Sequence, residues 1–225
     1  MENLPLYIPL VFCITVLAAL YIFYKSANHS KGFLWVASGW IAWQTIISLT
    51  GFYTLQTTPP RFILAAVPPI VFGIIYFSIK PAKVFLSKLN IRQLTLIHTL
   101  RIAVELVLFW LFVNHAAPKA MTYEGRNFDI FSGLTAPVIY YFGFVKKRLN
   151  KQIIIAWNLI CLGLLLNAVT IGVSSAIQTP QMAGNVKTSI AIQYFPFILL
   201  PAFLVPIILF SHIATIRQLL QKQIS

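Results

Sequence analysis

Apolar residues run in long blocks along the chain, separated by short polar stretches that carry most of the lysine and arginine. The blocks are apolar over most of their length, the pattern of helices that lie in lipid. Seven blocks predict seven spans, over residues 6–24, 33–55, 62–79, 93–115, 129–145, 152–177 and 189–212. Each is close to the roughly 20 residues needed to cross a bilayer. The expected fold is therefore all-α: a polytopic integral membrane protein with a single seven-helix domain over 1–212. A short amphipathic tail follows over 213–225.

Composition strengthens this reading. The 225 residues are 59% hydrophobic and 9% charged, whereas a soluble domain is about 25% charged. Little chain remains outside the spans, so a separate nucleotide-binding, kinase or DNA-binding domain is excluded. The net charge of +13 does not point to nucleic acid, because the basic residues flank apolar blocks, where they set topology. Twelve of the 17 lysines and arginines fall in loops one, three and five and in the tail; Arg61, Lys119, Arg126 and Lys187 lie on the other side, and Arg101 lies within a span. Positive loops stay cytoplasmic, which predicts an outer N-terminus and a cytoplasmic C-terminus in the inner or plasma membrane.

Glu2 precedes the first block and no basic residue does, so the first helix reads as retained, not as a cleaved signal. Cys13 and Cys161 sit inside apolar blocks without paired spacing, which suggests neither a disulfide nor a CxxC site. In the tail, Ile213, Ile216, Leu219 and Leu220 recur at helical spacing among basic residues. This predicts a helix lying along the cytoplasmic surface, as does the stretch 81–92.

A parallel repeat of three helices, a linker and three more is suggested by two parallels. Trp43-Gln44 leads to Gln56-Thr57-Thr58-Pro59, and Trp157-Asn158 leads to Gln178-Thr179-Pro180. Proline-bearing blocks follow both, with Pro68 and Pro69 in the third and Pro196, Pro201 and Pro206 in the seventh.

Candidate chemistry centres on the fourth block. His98, Arg101 and Glu105 fall on one face of a helix, and Arg101 and Glu105 stand at an i, i+4 spacing. A charge facing lipid at mid-bilayer costs about 2.5–3.5 kcal/mol, so this face is expected to point inward with the two charges neutralising each other. Two readings stay open: a polar centre for a substrate, ion or proton, or an ion pair that fixes helix packing.

A second cluster lies at the outer junction of the fourth and fifth blocks: His115, Tyr123, Glu124, Arg126, Asn127 and Asp129. Such groups folded over the outer mouth would suit a polar headgroup or a small ligand. On the structural side, Asp129 is placed to cap the fifth helix, and Glu124 and Arg126 to pair in solvent. No HxxxH, HExxH or DxxD spacing is present, so no metal and no cofactor is expected; His98 and His212 alone do not support a bis-histidine haem.

The fifth block is interrupted by Gly133, Pro137 and Gly143, as in helices that line transport cavities. Gln44, Thr45 and Ser48 in the second block and Asn158, Asn167 and Thr170 in the sixth are candidates for joining the polar centre or for gluing helices. The seventh block holds no lysine, which excludes a retinal Schiff base.

Three functions compete. The first is a small transporter or ligand-binding membrane protein, with a polar cavity around the fourth and fifth helices that opens outward. The second is an intramembrane enzyme on a lipid or isoprenoid, using His115, Glu124 and Asp129. The third is a non-catalytic sensor or assembly partner.

Overall fold

In the computed structural model, residues 4–55, 57, 60–182 and 191–221 are described. All regular structure among them is helical. The helices are α1 (Tyr7–Ser26), α2 (Lys31–Leu49), α3 (Ile63–Ser78), α4 (Lys80–Lys88), α5 (Ile91–Ile97), α6 (Leu100–Val113), α7 (Ile130–Tyr140), α8 (Lys151–Met182) and α9 (Val205–Gln221). Five stretches are long and apolar enough to cross a membrane: Tyr7–Ser26, Lys31–Leu49, Ile91–Val113, Lys151–Ile177 and Leu200–Gln221. Two further apolar helices, Ile63–Ser78 and Ile130–Val145, are shorter. Gln56, Thr58, Pro59, Lys187, Lys222 and the expected start of the seventh span at Ser189 lie outside the described residues.

Local chemistry sets several helix starts. Ser30 Oγ accepts from the amide of Phe33 at 3.3 Å to start α2, Asn90 Oδ1 accepts from that of Arg92 at 3.0 Å to start α5, and Asn150 Oδ1 accepts from that of Ile153 at 2.9 Å in the first turn of α8. These bonds satisfy amides that a helix N-terminus leaves without partners. Two segments widen into π turns, Tyr141–Val145 after α7 and Leu200–Leu204 before α9. The first follows Pro137, the second contains Pro201, and a proline removes a backbone donor from the ladder.

In the main core cluster α1 packs on α5 and α6, and α9 packs on α5 and α8, with a smaller cluster of Phe144, Ile154 and Leu219 beside it. Ile8, Phe12, Val16 and Ala19 of α1 are buried in the main cluster. Outward faces stay apolar; Leu17, Ile14 and Ile160 are each more than 60% exposed, as expected where lipid is the solvent.

One end of the bundle is stitched by backbone-directed bonds. The amide of Asn90 donates to the Ser26 carbonyl at 2.9 Å, and Asn28 Nδ2 donates to the Lys88 carbonyl at 2.9 Å. Gln218 Nε2 donates to the carbonyls of Leu86 and Leu89 at 2.6 and 2.8 Å. Gln218 explains where the structure departs from the surface tail expected over 213–225. Helix α9 continues unbroken to Gln221, and Ala214, Thr215, Gln218 and Leu219 are buried. The apolar spacing in this stretch serves the bundle interior, and the stretch 81–92 holds α4, packed on α3 and α9.

The two halves of the suggested repeat use their polar pairs differently. Gln44 accepts at 2.6 Å from the hydroxyl of Tyr53, which lies in the segment just after its own helix, while Asn158 engages His212 across the bundle. Trp43 is 57% exposed, whereas Trp157 Nε1 donates to Thr135 Oγ1 at 2.9 Å.

Candidate functional site

The centre of the bundle is built around Arg101. The expected fourth helix is two helices, α5 and α6, joined through His98 and Thr99. The joint leaves His98, Arg101 and Glu105 all buried, each at most 1% exposed. Their common inward face agrees with the expectation; the partner of the arginine does not.

Arg101 forms its ion pair with Asp129, which immediately precedes α7, instead of with Glu105. The pair is bidentate: Nε donates to Oδ2 at 2.6 Å, and Nη2 donates to Oδ1. Nη2 also donates to the Cys161 carbonyl of α8 at 3.2 Å, and Nη1 lies 3.2 Å from His212 Nε2 of α9. Guanidinium has donors only, so Nε2 of His212 accepts, and its Nδ1–H donates to Asn158 Oδ1 at 2.8 Å. Arg101 thus ties together α6, α7, α8 and α9. The planar fork suits this job, because bidentate pairing fixes orientation as well as charge.

Asp129 stands at the start of α7 but makes no side-chain cap bond. This corrects its expected capping role: the carboxylate turns to the guanidinium, a stronger partner than a helix amide. Glu105 is engaged by Asn127, whose Nδ2 donates to Glu105 Oε1 at 2.6 Å and to the Met121 carbonyl at 3.0 Å. Asn127 Oδ1 accepts from the amide of Asp129 at 3.2 Å. The expected neutralisation of Arg101 by Glu105 is therefore replaced by two linked pairs, Arg101 with Asp129 and Glu105 with Asn127. Spacing along one helix could not reveal this, since both new partners come from the loop before α7.

The ring of His98 completes the centre by stacking. Its ring stacks on that of His212 with centroids 3.9 Å apart and planes 19° from parallel, and the Trp157 ring meets it edge-on at 5.6 Å. Among the described residues, neither ring nitrogen of His98 has a partner, and neither does Glu105 Oε2. Face-to-face imidazoles this close leave no space for a haem plane between them.

The rest of the expected outer cluster disperses. His115 is exposed, with φ of 56°, just past α6. The Tyr123 ring packs on Phe109 at 5.2 Å. Glu124 faces Lys119 at 3.9 Å instead of Arg126, and the Arg126 carbonyl accepts from Asn167 Nδ2 at 2.9 Å. Of the nine candidates, His98, Arg101, Glu105, Asn127 and Asp129 converge; His115, Tyr123, Glu124 and Arg126 do not. Among the described residues, no three His, Cys, Asp or Glu side chains come close enough to hold a metal.

His212 was the residue least legible as part of this centre. Reading 213–225 as a surface tail put it at a membrane boundary, whereas carrying the helical periodicity through Gln221 places it in mid-helix, facing inward.

Residues 60–220 match the family described as a domain of unknown function, DUF8737. The chain belongs to this family. The matched stretch runs from α3 into α9 and contains every residue of the Arg101 centre, while α1 and α2 precede it. No curated protein and no solved structure matches the chain.

Proposed function

We propose that the protein is a small membrane transporter or ligand-binding membrane protein whose working centre is the polar cluster around Arg101. The observation that carries this reading is the incomplete bonding of that cluster. All three guanidinium nitrogens are engaged, yet beside the arginine both His98 ring nitrogens and Glu105 Oε2 are buried without partners. Buried polar atoms are nearly always bonded, and ionisable groups inside a membrane are by default functional. The open valences offer hydrogen-bonding positions to a small polar solute or a cation, next to a helix interrupted at Pro137.

In this reading all seven apolar segments cross the inner or plasma membrane, with the N-terminus outside. At the helical rise, the shorter Ile63–Ser78 and Ile130–Val145 measure about 24 Å against about 30 Å of hydrocarbon. Local thinning and flanking lysines offset that mismatch.

The test is a thermal-shift screen of purified protein against amino acids, nucleosides, sugars, organic acids and monovalent cations. A hit is then compared in Glu105→Gln, which keeps an oxygen for Asn127, and in Glu124→Gln on the exposed loop. The reading predicts that Glu105→Gln abolishes the shift and Glu124→Gln leaves it intact. A Glu105→Gln protein that binds as well as the unaltered one refutes it.

A further inference from the structure

An apolar cleft lies away from the polar centre. Helix α2 leans on α1 and on the Leu200–Leu204 turn, with its next neighbour α3 standing off across a cleft. The cleft has a volume of about 770 Å³, within the range of sites that enclose an organic ligand. Its walls are almost wholly apolar and aromatic, with Phe33, Trp40 and Trp43 on the α2 side, Phe72 and Tyr76 on α3, and Phe210 of α9 at the back.

Two features shape it. Trp40 Nε1 donates to the Ala202 carbonyl at 2.9 Å, which pins the indole as a strut between α2 and the π turn. Gly73 lets the Phe210 ring lie directly against the α3 backbone, where any Cβ would collide with it. Gly39, by contrast, lines the cleft with nothing within 4 Å of where its Cβ would stand.

The length and the charges of the cleft identify what fits. From Ser30 to Trp43, both lining residues, α2 covers about 20 Å at the helical rise, slightly more than one leaflet of a bilayer about 30 Å thick. The end at Ser30 is basic: Lys31 adjoins it, Lys88 adjoins the lining residue Leu89, and both lysines are exposed. Arg217 sits at the same end, donating to the Phe77 carbonyl at 3.0 Å. No aspartate or glutamate lies anywhere in 25–35 or 77–92.

We infer that this cleft binds one hydrocarbon chain of an anionic membrane lipid, its chain lying along α2 between Trp40, Trp43 and Phe210 and its headgroup against Lys31 and Lys88. The inference rests on the cleft alone and stands or falls apart from the polar centre.

The experiment uses the full chain in detergent micelles with phosphatidylglycerol that carries a diazirine on one acyl chain, photolysed and mapped by mass spectrometry. Saturable labelling of Trp40, Trp43 and neighbouring cleft residues is expected, competed by unlabelled phosphatidylglycerol in preference to phosphatidylcholine. Gly39→Trp, which fills the open space, should cut cleft labelling about tenfold or more with an unchanged melting temperature. Lys31→Ala and Lys88→Ala should each weaken binding about fivefold, the equivalent of about 1 kcal/mol per surface lysine.

Labelling that never saturates and falls equally on the lipid-facing residues Leu17 and Ile160 would overturn the inference, even if Gly39→Trp did not fold. Saturable labelling that favours phosphatidylcholine equally would overturn the headgroup assignment.

Discussion

Removing the guanidinium of Arg101 would leave the carboxylate of Asp129 buried with no counter-charge. Breaking one side of a buried pair typically costs about 3–5 kcal/mol, while replacing both sides by apolar groups is often close to neutral. Arg101→Met and Asp129→Leu should therefore each lower stability by about 3–5 kcal/mol. The double variant should lose clearly less than the sum, as read from thermal unfolding in detergent. Additive losses would mean that Arg101 is held chiefly by His212 and the Cys161 carbonyl. His98 makes a different prediction, because its ring has only stacking contacts to lose. His98→Phe keeps an aromatic face for His212 and removes two unbonded nitrogens, so it should leave the melting temperature unchanged or raise it, while abolishing any ligand-dependent shift.

At the scale of helices, apolar blocks were easily legible and their partners were not. The inward face of His98, Arg101 and Glu105 followed from three positions on one helix, and the structure keeps it despite the joint between α5 and α6. That Arg101 pairs with Asp129, and Glu105 with Asn127, depends on how the loop before α7 folds back, which no periodicity encodes. The extent of α9 was hidden for another reason: its last turns mix polar and apolar residues as a surface helix would, and Gln218 finds its partners in backbone carbonyls that are distant in sequence. The contact of α3 with α9 was also invisible, since Gly73 carries no pattern of its own. Gly73→Ala should force Phe210 off α3 and cost about 1–3 kcal/mol by overpacking, and Gly73→Ala combined with Phe210→Leu should recover much of it in the same melting assay.

For the whole molecule, the positively charged loops imply a testable arrangement. With Cys13 and Cys161 replaced by alanine, a single cysteine at Glu124 should react with a membrane-impermeant maleimide on intact cells. Cysteines at Asn28 or Asn150 should react only after lysis, because the seven crossings proposed above would put 124 outside and 28 and 150 inside. Equal reactivity at all three would rule out that threading.

The packing of α1 has a further consequence. Its buried residues Ile8, Phe12, Val16 and Ala19 fill a wall of α5 and α6, yet α1 precedes the stretch that matches the family. A polypeptide trimmed to residues 60–221 would carry a seam stripped of its cover, and a co-expressed piece of residues 1–59 would have a complementary stripe to offer. The two should rejoin in trans as a split protein, and neither half should accumulate well without the other.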